Sequence, residues 1–298
     1  MLDTRRKKLP RLVIFGNPKK ERVAEAIEEF IAFSKGKAET ITPAAACAVR
    51  QGSSVEKYTT GVLKKCDFAV VFGGDGAIIS AARTLSQSKV PVIGVNLGKL
   101  GFLAEFSINE LEEFFDDIIS GKACIERRMM LNCRVFRRGR ERFGAVAVND
   151  VFITAGAPFR TIELKMAIDG QPIAGCMSDG VIISTPTGST AYNLSAGGPI
   201  LSGKMEAMVI TPICPHSLSF RPIVIKADSV AEVFGVQVNK GTTVSVDGQT
   251  SCRLSVADVV RVQREKGDFL VVNNPLRTQW DTLAAKLNWA GRPKYKMI

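Results

Sequence analysis

The sequence predicts an α/β protein, with a doubly wound α/β domain up to about residue 123 and a mostly antiparallel β domain after it. Three observations carry this. Phe68-Ala69-Val70-Val71-Phe72 is a continuous apolar run, as in a parallel strand covered on both faces, and it leads through Gly73-Gly74-Asp75-Gly76 into a helical face at Ile78, Ile79 and Ala82. Strand and helix patterns alternate around that run. Beyond residue 125 the period changes to two: Ile162, Leu164, Met166 and Ile168 face one way, Glu163 and Lys165 the other.

In chain order, Leu12–Phe15 reads as the first strand, with a turn at Gly16-Asn17-Pro18. Val23, Ile27, Phe30 and Ile31 then repeat at helical spacing, with Gly36 as a stop. Val90–Val95 is a short apolar strand ending in NLGKLGF, and Ser107 with Glu110 forms a capping box ahead of Leu111, Phe114, Phe115 and Ile118; Gly121 ends that helix. Alternation returns at Leu131–Phe136 and Ile162–Ile168, and Asp169-Gly170 and Asp247-Gly248 are hairpin-type turns. Val244, Val246, Leu254, Val256, Val259, Val260 and Val262 continue the β signal. A last helix places Trp280, Leu283 and Leu287 on one face, expected to pack in a core, with Gly291 as its stop. The expected organisation is 1–124, an α/β domain carrying the glycine turn; 125–265, a β-rich domain; and 266–298, a segment whose helix packs back on the first domain.

Composition excludes several classes. Of 298 residues 46% are hydrophobic, which supports a sizeable core. No apolar run approaches the ~18 residues that span a bilayer, and the basic start MLDTRRKKLPRLVIF lacks a signal peptide's long apolar region. Seven cysteines without a CxxC pair read as reduced thiols, hence a cytoplasmic protein without a membrane partner. The net charge of +11 is spread along the chain, with clusters at Arg5–Lys8 and Arg137–Arg142 and no nucleic-acid-binding pattern. Anionic small molecules are therefore expected as ligands, and nucleic acid is not.

Chemistry concentrates at two glycine-rich segments. Gly73, Gly74 and Gly76 are expected to permit positive φ and close approach, and the N–H groups opening the helix favour phosphate. Asp75 beside that phosphate would orient a hydroxyl, accept its proton or hold Mg²⁺; the plainer reading is a tight turn with Asp75 as helix N-cap. The turn is not a P-loop, since no GxxxxGK[ST] occurs, nor a dinucleotide fingerprint, since Ile79 replaces the third glycine. The second segment, Ser178–Pro199, is dense in hydroxyls and glycines, suited to phosphate and ribose, and Tyr192 could cover a nucleotide ring. Asn149-Asp150 offers an amide and a carboxylate for ribose or base edges, or else a turn. His216, the single histidine, is read as a hydrogen-bonded structural residue, so neither a multi-histidine zinc site nor a cysteine-based cluster is expected. Carboxylates, hydroxyls and backbone remain, with any metal brought by the substrate, which fits phosphoryl transfer from Mg–ATP.

GGDG at 73–76, GVNLGKLGFLAEF at 94–106, NDV at 149–151, SDGVIISTPTGSTAYNLSAGGPI at 178–200 and TPICPHSLSFRP at 211–222 resemble the bacterial NAD kinases, in that family's order and over most of the chain. The 178–200 block is specific; GGDG alone is shared with diacylglycerol-kinase-like and phosphofructokinase enzymes. The resemblance implies a Rossmann-like domain, a β-sandwich-like domain, a site between them and a homodimer or homotetramer. It implies Asp75 as general base for the 2′-hydroxyl of the adenosine ribose of NAD attacking the γ-phosphate of ATP, with polyphosphate as the other donor and Mg²⁺ accompanying ATP. Gly73 and Gly74 would hold phosphate. Gly76, Phe102, Asn149, Asp150, Asp179, Thr187, Thr190, Ala191, Tyr192, Ser195 and Gln249 would contact NAD, and no protein-held metal is implied. The chain departs from the family at Ala77, where many members have Thr, at Leu103, where an aromatic is common, and at Met177, a position linked to the choice between NAD and NADH. A lipid kinase of related fold and a non-catalytic NAD-binding regulator are the alternatives.

Overall fold

The computed structural model describes residues 9–41, 63–86, 88–98 and 101–288. The basic cluster Arg5–Lys8, the Lys99-Leu100 pair and the expected helix stop Gly291 lie outside them. The chain divides into two compact units, Met1–Glu126 with Leu270–Ile298, and Arg127–Phe269.

The first unit is built on a parallel sheet. Its strands β1 (Arg11–Gly16), β2 (Glu39–Ile41), β3 (Phe68–Phe72) and β4 (Val92–Val95) lie in the order β2-β1-β3-β4. All five residues of β3 are buried, as its unbroken apolar run requires. Helix α1 (Glu21–Ser34) covers one face: a Cβ on Gly16 would lie 2.7 Å from Ile27 Cδ1, so glycine lets the helix close onto the strand end. The opposite face takes α2 (Asp75–Leu85), where a Cβ on Gly94 would lie 2.5 Å from Ile78 Cδ1. The sheet is thus doubly wound. Helix α3 (Ile108–Ile119) joins α1 through edge-on Phe30 and Phe115 rings 5.5 Å apart. Ser107 and Glu110 form the expected capping box at its start.

The second unit is a sandwich of two mainly antiparallel sheets. One contains β5 (Ile125–Arg137), β6 (Arg140–Ala147), β8 (Ile162–Ile168), β9 (Gln171–Ser178), β13 (Ala231–Gln237) and β16 (Asp258–Val272). The other runs β12-β11-β10-β7-β14-β15, with β7 (Asp150–Thr154), β10 (Gly180–Ser184), β11 (Ala207–Ile213), β12 (Ile223–Lys226), β14 (Thr243–Val246) and β15 (Thr250–Arg253). Their facing apolar residues share one core, with Leu131, Leu164, Val233 and Val260 on one side and Val151, Ile153, Val181, Ile210 and Val244 on the other. Asp169-Gly170 and Asp247-Gly248 both take positive φ, as two-residue hairpin turns require. Val256, expected to extend the β signal, is exposed between β15 and β16.

Residue Val271 of β16 pairs in parallel with Val92, and Asn273–Thr278 then leads into α5 (Gln279–Leu287) in the first unit; α4 (Tyr192–Ser195) is a single turn in the second. The connection is fastened to α3. Arg277 pairs with Glu110, and Asn274 Nδ2 donates to the Glu105 carbonyl at 2.9 Å. The Arg277 guanidinium is the main reason the Glu110 carboxyl falls to about 2, far below the ordinary glutamate range. The apolar stripe expected on α5 is only partly core: Leu283 is buried, whereas Trp280 is 53% and Leu287 40% exposed. The helix ends at Leu287, with Asn288 in the left-handed conformation as its cap.

Candidate functional site

In the first unit the chain reverses direction across the sheet, with β2 on one side of β1 and β3 on the other. In open parallel sheets ligands sit at such a switch, beyond the carboxyl ends of the strands. The glycine turn stands there. Gly73 has φ +149°, and a Cβ on it would come within 2.9 Å of Ala77 Cβ; Gly74 and Gly76 have ordinary φ and open space around them. Of the three glycines expected to need positive φ, only Gly73 does. Gly74 is the N-cap of α2, so Asp75 does not cap the helix.

The Asp75 side chain instead turns to the segment after β4. Its Oδ2 accepts from Phe102 N at 2.9 Å, and its Oδ1 accepts from Leu103 N at 2.9 Å and Ala104 N at 3.1 Å. Three successive amides thus fix one carboxylate, a nest for negative charge. Gly101 makes the approach possible, because a Cβ there would lie 2.1 Å from Asp75 Oδ1. Leu103 is buried with its side chain in the fold, which accounts for an aliphatic residue there. A carboxylate offers about four acceptor positions, so one on Oδ2 is left beside the three amides. Toward that oxygen comes Lys286 of α5, with Nζ 3.6 Å from Asp75 Oδ2 and 4.5 Å from the centroid of the Phe102 ring.

The second unit repeats the device. Asp247, in the β14–β15 turn, accepts from Val148 N at 3.0 Å, Asn149 N at 2.8 Å and Asp150 N at 3.1 Å, fixing the backbone of the Asn149-Asp150 pair. Gly188 closes against the same stretch, since a Cβ there would lie 2.1 Å from the Asn149 carbonyl oxygen. Thr185 donates to the Val148 carbonyl at 2.6 Å. Asp150, Thr187, Thr190, Ala191 and Tyr192 are thereby gathered at one end of β7 and β10, and Gln249 follows Asp247 in its turn. The Tyr192 ring stands edge-on to Phe152 at 5.1 Å and stays 37% exposed. Thr187 Oγ1 is buried with no hydrogen-bond partner among the described residues. Asp179 and Ser195 are exposed.

Much of the hydroxyl density in 178–200 proves architectural. Ser178, Ser184, Thr185 and Ser189 are buried and spend their hydroxyls on backbone carbonyls. Asn193 donates to the Ser189 and Pro199 carbonyls and accepts from Thr211 Oγ1 at 2.6 Å, and Gly198 leaves it room. The candidates for ligand contact are the remainder of the segment. His216 is exposed; its backbone N–H donates to the Met177 carbonyl at 2.8 Å, and its ring has no hydrogen-bond partner among the described residues.

Asp150 is 3% exposed, and burial, reinforced by the Asp247 charge, pushes its carboxyl up to about 7. The folded state therefore holds a proton that the unfolded chain releases near the ordinary aspartate value. That contribution to stability is complete below about pH 4 and is lost as pH rises through about 7. Accordingly Asp150→Asn should raise stability at pH 8 by about 4 kcal/mol and leave it unchanged at pH 4. Calorimetric melts at the two values check this, and an equal gain at both would refute it.

Asp247, Gly101 and Lys286 escaped the sequence reading as site-building residues. Asp247 looked like a turn residue only. The GKLGF glycine spacing could have pointed to Gly101, but nothing in the sequence places Lys286 beside Asp75.

Among the described residues no three His, Cys, Asp or Glu side chains cluster to hold a metal ion, and no helix is long and apolar enough to cross a membrane. Residues 12–123 match the family model of the ATP-NAD kinase N-terminal domain, and residues 148–274 that of the ATP-NAD kinase C-terminal domain. The chain is 41% identical over 259 residues to the NAD kinase of Desulforamulus reducens, covering 86% of this chain and 90% of that one. It is 40% identical over 229 residues to the NAD kinase of Geotalea daltonii, covering 77% and 81%. The crystal structure of yeast NADH kinase complexed with NADH superposes with a TM-score of 0.84 at 28% identity, over 98% of this chain and 91% of that one. An NAD kinase from Archaeoglobus fulgidus in complex with ATP shares the fold, with a TM-score of 0.71 at 22% identity over 94% and 99%.

Proposed function

The chain belongs to the NAD kinase family, a family of phosphotransferases with an alcohol acceptor, and from that premise we propose that it phosphorylates the 2′-hydroxyl of the adenosine ribose of NAD, with Mg–ATP as donor. Asp75 takes the hydroxyl proton on a carboxylate oxygen. The ribose oxygen forms its bond to the γ-phosphorus, the bond from that phosphorus to the bridging oxygen breaks, and ADP leaves with the electron pair. The observation that carries this reading is the Asp75 carboxylate, fixed by three amides at the carboxyl ends of the parallel strands.

Gly73 and Gly74 hold phosphate in this reading, and Gly76 and Phe102 border NAD. In the second unit Asn149, Asp150, Asp179, Thr187, Thr190, Ala191, Tyr192, Ser195 and Gln249 contact the dinucleotide, with the Thr187 hydroxyl a donor that has no partner among the described residues. The divalent ion, Mg²⁺, enters as part of the nucleotide substrate. A cytoplasmic homodimer or homotetramer completes the proposal.

The test is incubation of the purified protein with Mg²⁺, γ-labelled ATP and NAD, read with an NADP-specific dehydrogenase and by the position of the label. Labelled NADP is the expected product, and parallel reactions with polyphosphate and with NADH define donor and acceptor range. Binding of NAD without turnover would establish a non-catalytic regulator, and phosphorylation of a diacylglycerol but not of NAD a lipid kinase.

A further inference from the structure

A transferring phosphoryl group brings several negative charges up to the Asp75 carboxylate, and kinases offset such charge with a placed cation. A P-loop lysine is absent from this sequence. Among the described residues, Lys286 is the one cation within ion-pair distance of Asp75, at 3.6 Å from Oδ2. Its position is imposed by the fold. Arg277 and Asn274 tie the start of α5 to Glu105 and Glu110, Leu283 and Thr282 are buried beneath the helix, and the Phe102 ring lies under the ammonium at 4.5 Å. Phe102 in turn donates its N–H to the same Oδ2 that Lys286 approaches.

We propose that Lys286 is a phosphate-facing residue of the transfer site: in the free chain its ammonium neutralises Asp75, and in the loaded enzyme it bridges Asp75 and the oxygens of the phosphoryl group in transfer. This rests on the reading of Asp75 given above. A hydroxyl donating to Oδ2 lies about 2.7 Å from it, and the phosphorus it attacks lies about 3 Å beyond. Those phosphoryl oxygens fall within the swing of a four-carbon stem already parked on Oδ2. The role is a contact to the donor, so its loss should appear in the use of ATP and not in the binding of NAD. At 31% side-chain exposure the stem is free to shift between the two positions.

The test compares Lys286→Met, which keeps the stem over Phe102 and removes the charge, with Lys286→Arg, which keeps the charge. The expected result for Lys286→Met is a fall of about a hundredfold in kcat/KM for Mg–ATP, with the dissociation constant for NAD and the melting temperature unchanged. Lys286→Arg should recover at least about tenfold of that loss. The proposal is overturned if Lys286→Met stays within about threefold of the parent, if its loss follows a fall in melting temperature or NAD affinity, or if Arg does no better than Met. A parent protein that makes no NADP would overturn both readings; an active parent matched by an equally active Lys286→Met would overturn this one alone.

Discussion

Asp75→Asn lowers kcat for NADP formation about a thousandfold, in the middle of the range for loss of a general base, while NAD still binds. The amide has nearly the size of the carboxylate and keeps an oxygen where Leu103 N and Ala104 N donate. What it loses is the capacity to take a proton and the charge opposite Lys286. Its NH₂ group also faces the Phe102 N–H, donor against donor, so a modest rise in mobility of the 101–104 segment should accompany the loss. Steady-state kinetics with calorimetric NAD titration checks both halves of the result. Activity within tenfold of the parent would remove Asp75 from the role of base.

Gly101→Ala should cost about a hundredfold in kcat without touching a substrate group. A Cβ at Gly101 would lie 2.1 Å from Asp75 Oδ1, 2.9 Å from its Cγ and 3.1 Å from Ala104 Cβ. Contacts that short cannot be absorbed, so the carboxylate must leave the amides of 102–104 or the segment must move away from it. Displacing a reacting group by about 1 Å is enough for a loss of that order. Overpacking should also lower stability by about 1–3 kcal/mol, read by denaturant unfolding. A fully active Gly101→Ala variant would show that the placement of Asp75 by this segment is irrelevant to turnover.

The sequence made the framework legible because its signals were local. The apolar run at 68–72, the capping box of Ser107 and Glu110, and the two Asp-Gly turns each specify their own geometry over a few residues. The five motif blocks made the family legible as well. Hidden were the contacts between residues far apart in the chain. Asp75 reaches the 102–104 amides across 27–29 residues, Asp247 reaches Val148–Asp150 across nearly a hundred, and Lys286 meets Asp75 from the last described helix. No periodicity encodes such pairings. The same limit explains the two misreadings of polar density and apolar stripe. Hydroxyls of 178–200 read as ligand groups because their buried carbonyl partners were invisible, and Trp280 and Leu287 read as core because a stripe does not reveal how much of it is covered. Asp75 as an N-cap failed for a related reason, since three distant amides compete for its carboxylate.

In the proposed reaction Asp75, held by the Gly101–Ala104 segment, handles the proton in the phosphoryl-transfer step itself. Rapid-quench single turnover tests it most directly, with enzyme preloaded with NAD, mixed with labelled Mg–ATP, and the parent compared with Asp75→Asn and Gly101→Ala. The rate of label appearance in NADP should fall in both variants by the same factors as their steady-state kcat, with the loaded fraction of NAD unchanged. A single-turnover rate equal to the parent's in Asp75→Asn would contradict it, since the defect would then lie in product release and the carboxylate would not take part in the chemistry.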